Sequence, residues 1–214
     1  MIAKLYGVGR VLKGKLCVPG DKSISHRAIM FSSLVKGKTV VEGFLPSEDC
    51  LSTMEIFQKL GVSIEREGTK LIIEGKGMEA LEAPADSLYC GNSGTTMRLM
   101  AGILSGQTFS SVLFGDESLE KRPMGRVLTP LSKMGAKISA EGEKCTAPLK
   151  IEGSALKGIC YESPIASAQV KSAVLLASLY AKGETVYTEP SLSRDHTERL
   201  LSAMGADIET KILE

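Results

Sequence analysis

The chain has 214 residues, 43% hydrophobic and 24% charged, with Lys+Arg 26 against Asp+Glu 25 and a formal net charge of +1. This length and balance fit one medium globular domain or two small ones, with apolar side chains enough for a sizeable core. Aromatic residues make up 5% and no basic tail is present, so the phosphate-tracking stripe and stacking platform of a nucleic-acid binder are missing; no run approaches the roughly 20 apolar residues of a membrane span, and the N-terminus lacks a signal-peptide core, which implies a cytoplasmic protein.

Residues 1–19 read as a short apolar strand, a turn at Gly7 and Gly9, and a second strand around Lys15 to Val18. The stretch from Pro19 to Phe31 then opens a helix at Ser23, a good N-cap followed by Ile24, Ala28 and Phe31 at helical spacing. Lys22 beside that cap and Arg27 four residues on surround a positive helix end with cations, a hydroxyl and free backbone N–H groups. Such a group outlines an anion site, and equally a solvated helix start with two surface cations. Lys38 and Thr39 after Gly37 imitate the end of a Walker A loop, but position 32 is Ser and the segment follows a helical run where a strand is required.

From Ser23 onward the chain repeats itself. Lys59-Leu-Gly-Val-Ser-Ile64, Lys133-Met-Gly-Ala-Lys-Ile138 and Ala203-Met-Gly-Ala-Asp-Ile208 recur at intervals of about 70 residues, each closing an amphipathic helix with glycine and starting a strand. A second shared element lies upstream: Val35-Lys-Gly-Lys-Thr, Leu104-Ser-Gly-Gln-Thr and Ala181-Lys-Gly-Glu-Thr. Each unit therefore reads helix, strand, helix, strand, with a further strand such as Lys70 to Glu74 or Leu149 to Glu152. The expected fold is α/β (α+β), with three repeated βαβαββ-type units around a pseudo-threefold axis, helices inside and sheets outside. The units span about 20–85, 86–155 and 156–214, and the third, ending just after its Gly-Ala-Asp-Ile strand, is expected to be truncated.

The first helices begin alike, with Ser23 followed by Arg27, Gly94 by Arg98 and Ser167 by Lys171. Cations are disfavoured at that end of a helix dipole, so three such starts pointing one way would suit a ligand with several negative groups. The second helices add Arg122, pinned before a helical turn by Pro123, and Arg194 at the head of a capped start at Ser193. His26 and His196 sit in first turns, where a neutral imidazole in a structural role is favoured over a general base. The methionines at 54, 97, 100, 134 and 204 lie on helical faces and read as core. Cys17, Cys50, Cys90, Cys145 and Cys160 form no C-x-x-C pair and read as reduced, mostly buried thiols, with neither metal nor cofactor expected.

In order along the chain, Gly20-Asp-Lys-Ser-Ile-Ser-His-Arg27, Gly91-Asn-Ser-Gly-Thr-Thr-Met-Arg98, Arg122-Pro-Met-Gly125, Ser167-Ala-Gln-Val-Lys171 and Arg194-Asp-His-Thr-Glu198 resemble the N-terminal half of the enolpyruvyl transferase family. They are most similar to its shikimate-directed branch, and the last two look like its class II form. The resemblance covers essentially the whole chain. It implies one of two similar three-unit domains facing across a cleft, residues 1–19 joining the second domain, and a monomer. It also implies transfer of the enolpyruvyl group of phosphoenolpyruvate to the 5-hydroxyl of shikimate 3-phosphate, with release of phosphate. Carried over by motif, Lys22 has the catalytic place between the substrates; Ser23 and Arg27 hold the shikimate carboxylate; Ser167, Ala168 through its backbone, Gln169 and Arg194 hold the phosphorylated ring. Gly94, Arg122 and Gln169 border phosphoenolpyruvate and Asn92 supports that loop. The partner of this half-site would be the C-terminal domain, without which no activity is expected. The family's UDP-sugar branch is the alternative, but it places a cysteine in the loop where Asp116-Glu-Ser-Leu-Glu-Lys121 has none; a non-enzymatic anion-binding module is the other.

Overall fold

The computed structural model describes residues 3, 4, 6, 7, 9 and 13–212. The elements run α1 (Lys22–Leu34), β1 (Lys36–Val41), α2 (Glu48–Lys59), β2 (Ser63–Glu67) and β3 (Lys70–Lys76); then β4 (Leu88–Tyr89), α3 (Gly94–Ser105), β5 (Ser110–Phe114), α4 (Glu117–Glu120), α5 (Gly125–Lys133), β6 (Lys137–Glu141) and β7 (Thr146–Glu152); and finally β8 (Cys160–Glu162), α6 (Ala168–Ser178), β9 (Val186–Thr188) and α7 (His196–Ala203). It is a mixed α/β fold whose described residues form three separate sheets, ordered β1-β3-β2, β4-β5-β7-β6 and β8-β9.

In the first two sheets the last strand is central. β3 pairs antiparallel with both β1 and β2, and β7 does the same with β5 and β6. The period-2 pattern explains the one-sided burial: Leu71 and Ile73 of β3, and Leu149 and Ile151 of β7, face the core. The helices supply the opposite wall. α3 is the most enclosed, with Met97, Leu99, Met100, Ala101, Ile103 and Leu104 all at 0% exposure. It lies directly against α6 at Gly102, where a Cβ would run into the Ala173 carbonyl, so the two backbones touch only because that side chain is absent.

The repeated glycine motif has one geometry at all three places. Gly61, Gly135 and Gly205 have φ of +86°, +96° and +86°. The amide after each glycine donates back to Phe57, Leu131 and Leu201 respectively, and the glycine amide donates to Gln58, Ser132 and Ser202. This double bond pattern is the Schellman close, which needs a left-handed residue and so selects glycine.

Several expectations are corrected. Lys15 to Val18 forms no strand; among the described residues no strand pairs with it, and Leu16 and Val18 are 84% and 76% exposed, so packing there offsets little of the ordering cost of an extended segment. The rest of the expected N-terminal strand pair falls largely on residues 1, 2, 5, 8 and 10–12, outside the described residues. The strand expected after Gly205 is also absent. β2 and β6 each lean on the hairpin strand that follows them, and among the described residues nothing plays that part for Ala206 to Ile208.

α1 starts one residue early, at Lys22, because the N-cap is Asp21, whose carboxylate accepts from the Ile24 amide at 2.8 Å. A carboxylate there answers the helix dipole better than the Ser23 hydroxyl can. α5 starts at Gly125 rather than at Pro123: a separate turn, α4, ends at Glu120 with Lys121 as its C-cap, and the Met124 amide is drawn off to the Cys145 carbonyl. The N-cap residue of α7 is Asp195, whose side chain makes no capping hydrogen bond, and not Ser193, whose amide and hydroxyl donate to Glu189. Met97, Met100 and Met134 are core, but Met204 is 43% exposed just past the end of α7. Of the cysteines only Cys50 and Cys90 are buried; Cys17 and Cys160 are exposed. Among the described residues no helix is long and apolar enough to cross a membrane.

Candidate functional site

The first turns of α1, α3 and α6 are stitched together by side-chain hydrogen bonds. From α1, the Arg27 guanidinium donates through Nε to Thr197 Oγ1 of α7 and through Nη2 to Ser172 Oγ of α6, both at 2.7 Å, and through Nη1 to the Ser23 carbonyl at 2.9 Å. From α6, Gln169 accepts from Arg98 Nη1 at 2.8 Å and donates to Thr95 Oγ1 at 2.9 Å, both on α3. Between α1 and α3 runs the line His26 Nδ1, Thr53 Oγ1, Thr96 Oγ1 and Ser93 Oγ, each neighbour 2.7 Å from the next. Ser93 and Ser167 cap α3 and α6. Ser167 meets no other candidate residue through its side chain, and the adjoining Ala168 opens α6 half-buried.

This framework presents cations at its rim. Lys22 is half exposed and paired with Asp49 at the head of α2. Arg194 is exposed and donates through Nη1 to Ser23 Oγ at 3.2 Å. Arg122 is held by the Asn92 carbonyl at 3.2 Å, by the Asn92 side-chain oxygen and by Ser118 Oγ at 3.3 Å. The Asn92 amide is itself oriented by Asp116, which accepts from Nδ2 with both oxygens at 3.0 and 2.8 Å. Those bonds, ahead of the Leu119 amide, hold the Asp116 carboxyl below its ordinary value. Gly94 lies beneath: a Cβ there would sit 2.5 Å from Arg98 Nη1 and 3.6 Å from Arg122 Nη1. Alanine at this position would therefore push Arg98 off Gln169.

The candidates thus gather into two neighbouring groups, Ser23, Arg27 and Arg194 on one side and Asn92, Gly94, Arg122 and Gln169 on the other. Two residues depart from their expected character. Arg27 is 4% exposed and spends much of its guanidinium on internal acceptors. Burial, followed by the Arg194 charge, lowers its pKa, against the pull of Glu198. Lys171, the third cation of the helix comparison, points inward at 9% exposure and sits between Glu189 Oε1 at 2.8 Å and Glu198 Oε1 at 2.6 Å. Burial alone would lower its pKa, but the two carboxylates outweigh that and hold it above the ordinary lysine value. It is a neutralised core cation; of the three aligned cations Arg27 is buried as well, and Arg98 alone is partly exposed.

Arg98, Thr95, Asp49, Asp116, Ser172, Thr197 and Glu189 complete the arrangement. Arg98 stood out in the sequence by its alignment with Arg27; the others carry no local signal, being ordinary polar residues of helix starts and loops. Burial lowers the Arg98 pKa, with Arg122 and Arg126 adding to it.

His26 is fully buried and neutral. Burial chiefly, with Lys22 and Arg27 adding and Asp49 opposing, lowers its pKa from 6.5 to about 4. Between these values the unfolded chain binds the proton and the folded chain does not, so stability is complete above pH 6.5 and falls as the pH drops toward 4. The expected loss is roughly 3 kcal/mol. Urea unfolding from pH 7 to 4 checks it: a His26→Asn variant should show a flatter slope across this window, and equal slopes would exclude the effect.

Comparisons with known proteins follow the same outline. Residues 8–213 match the family model for EPSP synthase (3-phosphoshikimate 1-carboxyvinyltransferase). The 3-phosphoshikimate 1-carboxyvinyltransferase of Citrifermentans bemidjiense is 59% identical over 201 residues, covering 93% of this chain and 46% of that protein. The Bacillus subtilis protein of the same name is 56% identical over 199 residues, again covering 93% and 46%. A solved EPSP synthase from Acinetobacter baumannii superposes with a TM-score of 0.90 at 56% identity, over 92% of this chain and 45% of that one. The chain spans about half the length of the curated relatives it matches.

Proposed function

Because the chain belongs to the EPSP synthase family, we propose that it forms one wall of a site that transfers the enolpyruvyl group of phosphoenolpyruvate to shikimate 3-phosphate. The 5-hydroxyl gives up its proton as its oxygen adds to the enol carbon, whose methylene takes up a proton to become a methyl; the tetrahedral adduct then loses phosphate and a methyl proton, which restores the double bond. In this reading Ser23 and Arg27 hold the shikimate carboxylate, and Ser167, the Ala168 amide, Gln169 and Arg194 hold the phosphorylated ring. Gly94, Arg122 and Gln169 border phosphoenolpyruvate with Asn92 behind them, and Lys22 reaches between the substrates. Residues 1–19 would belong with a second domain. Three units about a pseudo-threefold axis would account for the recurring Schellman closes and for three helix starts sharing one face.

The observation that carries this is the knot of first turns, which sets cations of different reach around backbone N–H groups. Arg offers a planar fork for carboxylate or phosphate and Lys a mobile point charge. A helix start contributes about 0.3–1 kcal/mol per anionic group and a charged hydrogen bond about 1.5–3 kcal/mol, before ordering costs are subtracted. On an open face that sum gives weak binding. These 214 residues alone should therefore release no phosphate from the two substrates, whereas the chain completed with the remaining half of a relative should turn over. A phosphate-release assay decides it: no turnover by the completed protein, or equal turnover by the chain alone, overturns the proposal.

A further inference from the structure

We propose that Glu189 is a positioning residue that fixes Arg194, through a clamp on the segment between β9 and α7. The inference rests on the role given above to Arg194 and adds what holds that arginine in place. Residues 190–192 are exposed, Leu192 to 76%, and the segment has no regular structure. Apart from the Asp195 carbonyl, which accepts from the Arg199 amide of α7, the hydrogen bonds found for it among the described residues run to one carboxylate and to α1. Glu189 Oε1 accepts from the Ser193 amide and from Ser193 Oγ, both at 2.9 Å, and Oε2 lies 2.8 Å from the same hydroxyl. The next residue, Arg194, then meets Ser23 Oγ.

Glu189 is in turn fixed from below. Lys171 of α6 donates to Glu189 Oε1 at 2.8 Å and to Glu198 Oε1 of α7 at 2.6 Å, and all three side chains are at most 11% exposed. The ammonium thus joins α6 and α7 to the loop between β9 and α7. An arginine carries considerable rotamer entropy, and a ligand that had to order the loop as well as the side chain would bind more weakly. The clamp removes the loop part of that cost before the ligand arrives, which makes Glu189 matter for affinity though it touches no substrate.

The test is a double-mutant cycle in the chain completed with the remaining half of a relative. Glu189→Ala should raise KM for shikimate 3-phosphate about tenfold, the size of one charged hydrogen bond, with kcat and KM for phosphoenolpyruvate nearly unchanged. Lys171 keeps Glu198 in this variant, so the buried ammonium is not orphaned. Glu189→Gln, which retains an acceptor for the Ser193 amide, should recover part of the loss. In an Arg194→Ala background the Glu189→Ala effect should disappear, and hydrogen exchange at the Ser193 amide should speed up in the Glu189→Ala protein. Additive effects of the two substitutions, or a loss confined to kcat, would overturn the clamp. An Arg194→Ala protein with unchanged KM would instead overturn the assignment of Arg194 itself.

Discussion

Replacing Lys22 by alanine is expected to slow the completed transferase by about 100- to 1,000-fold, the range seen when one preorganised donor to developing charge is removed, while the fold keeps its stability. The lysine is an N-terminal residue of α1 with a side chain 51% exposed, and its partner Asp49 is 21% exposed. An ion pair open to water contributes about 0–1 kcal/mol, so its loss hardly moves the melting temperature. What the side chain can do is reach: under the function proposed above, a mobile ammonium at a helix start, next to the Asp21 cap, would follow charge as it builds between the two proposed anionic substrates. Steady-state kinetics and thermal melting of the same preparation give the answer. A turnover within about threefold of the parent would contradict a loss of the size assigned to such a donor.

Lys171→Ala is expected to do the reverse, lowering folding stability by about 3–5 kcal/mol. Its ammonium is the common partner of Glu189 and Glu198, and removing it leaves two carboxylates, each at most 11% exposed, beside one another. Burial by itself would raise the Glu189 pKa, and the lysine together with Ser193 turns that into a lowering; without the lysine the penalty is uncovered. Urea unfolding measures the loss. Pairing Lys171→Met with Glu198→Gln should restore part of it, because one of the uncompensated charges is then gone. A change below about 1 kcal/mol would mean that water reaches the carboxylates as it does in exposed pairs.

These two lysines show where reading the residues stops. Both stand near the start of a helix beside small polar residues, and the alignment of Arg27, Arg98 and Lys171 treats the third cation as a ligand-facing one. The difference between Lys22 and Lys171 comes from what lies across from them. Glu189 is 18 residues from Lys171 in sequence, and the partners of Arg27 on α6 and α7 are 145 and 170 residues away. No periodicity reports such contacts. Asp21 against Ser23 as the α1 cap is a smaller case: both are good caps, and it is the Asp21 carboxylate that accepts from the Ile24 amide. The missing strand after Gly205 is another, since its sequence matches its two counterparts and only the pairing strand differs.

What the sequence determined by itself is much of what hydrogen bonds and packing set within one turn or one hairpin. It placed three helix closes at Gly61, Gly135 and Gly205, because a left-handed C′ residue is a local requirement. It placed the helices, the one-sided strands β3 and β7, and the motifs that mark the family. The tertiary structure alone decided which cations face outward and which are spent inside, that Arg27 ties α1 to α6 and α7, and that Glu189 holds the segment carrying Arg194. The physical reason is that burial and charge pairing depend on elements far apart in the chain, and a cation's availability is fixed only once its neighbours have been brought to it.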